Sequence, residues 1–124
     1  MKNIIAFEGE KYTIEWFVDA KGYSQAMEYF EEASQLHKNK TMYLFSGMAN
    51  FGKIWDITKF RNEGDGIYAF KPDQDRYLCF FVRNGKIVVT NAFMKKSQKM
   101  PQKEKEKALV AYKNYIKREQ KDLI

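Results

Sequence analysis

The chain has 124 residues, 44% of them hydrophobic and 16% aromatic, enough for one packed core without disulfide support and too few for a comfortable second domain. Cys79 is the single cysteine and His37 the single histidine, so composition excludes a disulfide scaffold and a zinc centre. The formal net charge is +6, and it is unevenly placed: residues 1–94 balance 12 Lys/Arg against 12 Asp/Glu, whereas residues 95–124 hold 10 against 4.

A positive field confined to the last quarter draws a polyanion or an acidic partner. A solvated Lys-rich helix without a ligand has the same count, and charge alone leaves both readings open. At the other end, the apolar run within residues 1–8 is short for a signal peptide and is interrupted by Glu8. No run approaches the roughly 18 apolar residues of a membrane helix. A reducing cytoplasm is the expected location, with no membrane partner.

Residues 12–19 alternate, with Tyr12, Ile14, Trp16 and Val18 on one face, the period of a half-buried strand. Lys21-Gly22-Tyr23 is a turn, and Ser24 is placed to cap a helix. From Gln25 to about His37 the spacing of Ala26, Met27, Phe30, Ala33 and His37 predicts that helix. Asn39-Lys40 reads as a break. A second helix is expected from about Thr41 to Asn50, with Leu44, Phe45, Met48 and Phe51 as its apolar stripe and Gly52 as its stop.

Residues 55–60 read as a short strand or extended segment, and residues 62–66 as a turn. Three β-rich runs follow at 67–71, 76–82 and 87–93, separated by a turn at 72–75 and by Asn84-Gly85, the strongest short hairpin signal. They are apolar almost throughout, so they should be central strands covered on at least one face by helices. Cys79, inside the second run, reads as a small buried hydrophobe. Pro101 suits the first turn of a final helix reaching about Lys121, with Leu109, Tyr112 and Ile116 on its apolar side. The expected architecture is a single α+β domain: two N-terminal helices packed on a small, mainly antiparallel twisted sheet, then a basic C-terminal helix.

Three stretches carry a family resemblance: Gly66-Ile67-Tyr68-Ala69-Phe70-Lys71, Arg76-Tyr77-Leu78-Cys79-Phe80-Phe81, and Ala92-Phe93-Met94-Lys95-Lys96-Ser97-Gln98-Lys99-Met100-Pro101. Together they resemble the HigB-like, phage-related branch of the RelE/ParE toxin superfamily, and the likeness spans roughly residues 12–118. The Lys-Lys-Ser-Gln-Lys-x-Pro run before the basic helix is its most specific part. The family's Glu-Leu-Arg is here Ala69-Phe70-Lys71, which removes a carboxylate and exchanges a planar guanidinium for a point-charge ammonium. Met100 stands where a threonine is usual, weakening the cap of the last helix.

The resemblance implies a RelE-like fold and the toxin component of a type II toxin–antitoxin system. The implied activity is ribosome-dependent mRNA cleavage by attack of a ribose 2′-OH on the adjacent phosphate, with no metal or other cofactor. The implied partners are mRNA, the ribosome and a cognate antitoxin, expected to be a helix-turn-helix protein. Without a well-placed histidine, the chemistry falls to Lys, Arg and Tyr. Arg76 and Lys71 are the candidates for holding the scissile phosphate, and Lys95 and Lys96 for proton transfer or a phosphate clamp. A lysine serves as base only when burial or positive neighbours lower its pKa. Tyr68 and Tyr77 are candidates for base stacking or proton donation; Lys99, Lys103 and Lys107 for RNA binding. His37 reads as a packing or capping residue. The alternative is a non-enzymatic RNA-binding or gyrase-targeting module of the same fold, favoured by the loss of the Glu and Arg at residues 69 and 71.

Overall fold

A computed structural model describes residues 4–122; residues 1–3 of the opening stretch, and Leu123 and Ile124, lie outside the described residues. In chain order the elements are β1 (Ile5–Glu8), β2 (Thr13–Trp16), α1 (Gln25–Glu32), α2 (Gln35–Phe51), β3 (Phe60–Gly64), β4 (Ile67–Phe70), β5 (Asp75–Val82), β6 (Lys86–Met94) and α3 (Gln102–Asp122). The strands form one six-stranded sheet in the order β1-β2-β6-β5-β4-β3. All neighbours are antiparallel except β2 and β6. This is the expected α+β architecture, with α1 and α2 on one face and α3 on the other.

The β5–β6 hairpin is built by Asn84 and Gly85, both left-handed at φ 70° and 71°, as the Asn-Gly pair requires. Its strands are buried on both faces, which is why they read as nearly unbroken apolar runs. Tyr77, Cys79, Ile87 and Val89 join Ile14, Trp16, Phe45 and Phe70 beneath α1 and α2. Leu78, Phe80 and Val88 join Ile67, Ala69 and Ala108 beneath α3. Leu109 and Tyr112 pack there as expected, and Tyr115 rather than Ile116 completes the apolar side.

The helical boundaries differ from the periodicity reading. The break lies at Ala33, which is extended, and Ser34 caps α2 by accepting from the His37 N–H at 3.2 Å. Asn39 and Lys40 are helical; Asn39 accepts from the Gln35 side chain one turn back. Their propensity penalty is well under 1 kcal/mol each, too little to stop a helix held down by Thr41, Leu44, Phe45, Met48 and Ala49. Phe51 is exposed rather than part of the buried stripe.

Two further departures concern strands. Residues 5–8, unassigned from sequence, form β1 at the sheet edge beside β2. Gly9 then lets the chain cross α2, where Lys11 and Tyr12 N–H groups both donate to the Ala49 carbonyl. Residues 55–59 are irregular, and the strand begins at Phe60 and runs through Asn62-Glu63-Gly64. The turn narrows to Asp65-Gly66, both at positive φ. Gly and Asn at a strand's end imitate turn composition, and the pairing with β4 overrides it.

One irregularity positions everything that follows. Leu78 pairs with Asn91 but Cys79 pairs with Val89, so Thr90 is an extra residue in β6. A bulge of this kind reverses the side-chain alternation beyond it. Val88 faces α3 before the bulge and Phe93 faces α3 after it. Among the described residues no helix is long and apolar enough to cross a membrane.

Candidate functional site

Beyond the bulge, β6 runs out beside the start of α3, and the odd-numbered residues Phe93 and Lys95 turn toward the α3 face. Lys71 at the end of β4, Arg76 at the start of β5 and Arg61 on β3 come up on the same face. Arg61 is paired with Ala69, which lies under α3. These side chains, with Lys96, Lys99 and the loop to Pro101, line a single pocket. Its lining contains six cations, Arg61, Lys71, Arg76, Lys95, Lys96 and Lys99, and one carboxylate, Glu63. The N-terminus of α3 adjoins through Met100 and Pro101, adding the positive end of a helix dipole.

Arg76 is held by its own turn. Its Nη1 donates to the carbonyl oxygens of Asp73 at 2.9 Å and Asp75 at 2.8 Å. That turn is closed by the Asp75 N–H on the Pro72 carbonyl and by the Lys95 N–H on the Gln74 carbonyl. Asp75 is buried, and its carboxylate accepts from the Tyr29 hydroxyl at 2.6 Å, while His37 Nδ1 lies 3.8 Å from its other oxygen. His37 therefore sits between α2 and this turn rather than in the pocket. Burial lowers the Arg76 pKa, and Glu63, Asp75 and Asp73 oppose the shift; the guanidinium stays charged at any working pH.

Lys71 differs from the other lysines. Its Nζ donates to the Ile57 carbonyl at 3.2 Å, which fixes the long side chain. Burial, then the positive charges of Arg76 and Arg61, lower its pKa from the usual 10.5, with Glu63 opposing and Lys95 adding to the fall. These are the two conditions that make a lysine a usable base.

Five of the residues picked from sequence thus meet in one pocket: Lys71, Arg76, Lys95, Lys96 and Lys99. The others lie elsewhere. Tyr68 projects from the opposite face of β4, its ring stacked on Phe60 and set edge-on to Phe81. Tyr77 is fully buried among Trp16, Tyr29 and Phe45, so its ring cannot meet a nucleobase without opening the core. Lys103 and Lys107 line a separate cleft on α3 with Phe17, Tyr23 and Val110, and Lys107 is paired with Glu104 at 3.1 Å. Arg61 and Glu63 are pocket residues that the sequence did not single out. Their alternate spacing was the available signal, hidden because residues 62–66 resemble a turn.

The family model described as "Phage derived protein Gp49-like (DUF891)" matches residues 27–113. No curated protein matches the chain. The matched range is well over half of the sequence and includes α2, the sheet strands of the pocket and the first half of α3. The chain belongs to the Gp49-like phage-derived family, which is associated with RelE-like, toxin-like proteins.

Proposed function

We propose that this protein is the toxin of a type II toxin–antitoxin pair, of the HigB-like branch, and that it cleaves mRNA on the ribosome in the cytoplasm. The observation that carries the reading is the pocket in which six cations and one carboxylate converge around a lysine of lowered pKa. In the proposed reaction neutral Lys71 takes the proton of a ribose 2′-OH as its oxygen attacks the adjacent phosphorus. The bond from phosphorus to the 5′-oxygen breaks, leaving a 2′,3′-cyclic phosphate on one fragment. The departing 5′-oxygen takes a proton from a neighbouring ammonium, Lys95 or Lys96, and leaves as a hydroxyl. Arg76, oriented by two carbonyls, offsets the charge that builds on the phosphate. Lys99 and the cleft lysines Lys103 and Lys107 attract the flanking RNA. No step calls for a metal.

A second reading, binding without cleavage, is favoured by one observation. The position that carries a glutamate in the resembled family is Ala69, buried under α3, so the carboxylate is supplied only by Glu63 from the next strand. Induced expression with mapping of mRNA 5′ ends separates the two. Growth arrest with codon-phased cuts that vanish in Arg76→Ala and in the Lys95→Ala/Lys96→Ala double variant supports the nuclease. Arrest with intact mRNA and DNA-damage signalling points to a gyrase-type target. Absence of arrest leaves a binding module.

A further inference from the structure

We propose that the cleft between α3 and the chain from Phe17 to Gln25 is a nucleobase site, taking one unstacked base of the RNA strand whose phosphate sits in the cationic pocket. The proposal rests on the RNA reading above and adds to it a place for a base. Size separates the two sites. The cationic pocket has a volume of 80 Å³, the room of about three waters at roughly 30 Å³ each, so it holds a phosphate group with no base beside it. The cleft has 540 Å³, within the roughly 300–1,000 Å³ of small-ligand sites.

The two are joined. An intermediate hollow of 440 Å³ shares Phe93, Lys96 and Pro101 with the pocket and Gln25 with the cleft. Along β6, Lys95 in the pocket and Asn91 in the cleft are separated by about 13 Å of strand. A stacked strand covers that distance in about four nucleotides at roughly 3.4 Å each, and an extended one in fewer. The floor between them has its polar groups paired. β2 accompanies β6 only as far as Val89. Beyond it the Gln25 side-chain amide stands in for a strand, accepting from the Ala92 N–H at 2.7 Å and donating to the Ala92 carbonyl at 2.8 Å. Asn91 Nδ2 donates to the Glu104 carbonyl at 3.1 Å and to its carboxylate at 3.0 Å. Such a floor receives the flat apolar face of a base without stranding a buried polar group.

Charge assigns each part of the nucleotide. The pocket holds six cations and one carboxylate, whereas the cleft sets Lys103 and Lys107 against Asp19 and Glu106. The hollow between them sets Lys96 against Glu104. The phosphate therefore belongs to the pocket, and the balanced cleft suits the uncharged base. Its walls include Tyr23 and Val110, 46% and 57% exposed. The Phe17 ring is already covered by the Arg118 guanidinium, 5.0 Å from its centroid, so Tyr23 is the open platform. The loop that carries it is closed on itself: the Tyr23 N–H donates to Asp19 Oδ1 at 3.0 Å, and the Asp19 N–H to the Tyr23 carbonyl at 2.8 Å. A platform already in place loses little freedom on binding. Stacking on an exposed ring beside a cationic phosphate site is a general way of holding a single strand.

The test titrates the full chain with a 2′-O-methyl oligoribonucleotide about five nucleotides long, which lacks the attacking hydroxyl and is too short to slide far. Tyr23→Ala should weaken binding about 10-fold, while Tyr23→Phe, which keeps the ring, should bind as the unaltered chain does. Circular dichroism and Tm should be the same in both, because the ring is exposed. A single abasic residue moved along the strand should match the Tyr23→Ala loss at one position, and should cost nothing further there in Tyr23→Ala itself. Equal affinity of the unaltered chain and Tyr23→Ala overturns the proposal, as does a loss that no abasic position cancels. Amide protection of residues 17–25 by a protein partner, with none from the oligonucleotide, overturns it in favour of a protein site. Arg76→Ala reports on the pocket separately. Loss of affinity in Arg76→Ala but not in Tyr23→Ala removes the base site alone. Loss in Tyr23→Ala but not in Arg76→Ala removes the phosphate pocket alone, and no binding by the unaltered chain removes both.

Discussion

The Tyr29 hydroxyl donates a 2.6 Å hydrogen bond to the carboxylate of Asp75, and this contact ties α1 to the turn from which Arg76 emerges. Asp75 is buried, and a buried carboxylate that loses a donor bears the cost of its desolvation. Tyr29→Phe is expected to lower stability by about 1–3 kcal/mol, read as a shifted denaturant midpoint at constant slope. The same variant should slow RNA cleavage, because the carbonyls of Asp73 and Asp75 that aim Arg76 belong to the loosened turn. Cleavage at the unchanged rate would show that Arg76 is aimed independently of α1.

In the proposed cleavage, Lys71 sets the pH dependence. Its pKa is lowered chiefly by burial and by Arg76 and Arg61, and in the proposed reaction the neutral amine is the working form. The cleavage rate should therefore rise with pH and level off below pH 10.5, the ordinary lysine value. Lys71→Arg keeps the charge and cannot deprotonate; it should bind RNA nearly as well and lose cleavage by about 100-fold or more. Single-turnover rates across pH, corrected for uncatalysed hydrolysis, decide the matter.

Glu63 opposes the lowering of both Lys71 and Arg76. Replacing it with Gln removes the pocket's one carboxylate. The Lys71 pKa should fall further, moving the rate plateau to lower pH, and RNA affinity should increase. An unmoved plateau would assign the base to another group.

Affinity for single-stranded RNA should fall steeply with salt, because each phosphate contact releases counterions. The log–log slope should shrink by roughly 0.7 for each phosphate-bound lysine removed. Lys95→Ala/Lys96→Ala should show that loss. Lys107→Ala should show less, since Lys107 is already paired with Glu104.

Gly9 tests the fold apart from the site. A Cβ there would sit 2.4 Å from the Ala49 carbonyl carbon and 2.5 Å from its oxygen, where backbone cannot yield cheaply. Gly9→Ala should cost about 1–3 kcal/mol, visible as a lowered Tm. The pocket, on the other face of the sheet, should keep its RNA affinity below the new melting range.

The class of architecture, the β5–β6 hairpin and the basic helix are legible along the chain, because they rest on local chemistry. Asn-Gly favours the required positive φ, apolar runs without alternation mark strands buried on both faces, and Lys-rich spacing survives in any context. Lys71, Arg76, Lys95, Lys96 and Lys99 are legible there too, through a resemblance in which adjacency along the chain stands for adjacency in space. Which side chains face one another depends on how the strands and helices pack. The extra residue Thr90 reverses the alternation of β6, so Phe93 and Lys95 join Arg76 on the α3 face, and no periodicity in residues 87–95 announces it. Pairing across β3 and β4 brought in Arg61 and Glu63. It also put Tyr68 on the far face of its strand, while α1 and α2 closed over Tyr77. Alternation within a strand is written locally; register, bulges and the choice of face follow from the partners, and those are distant in sequence.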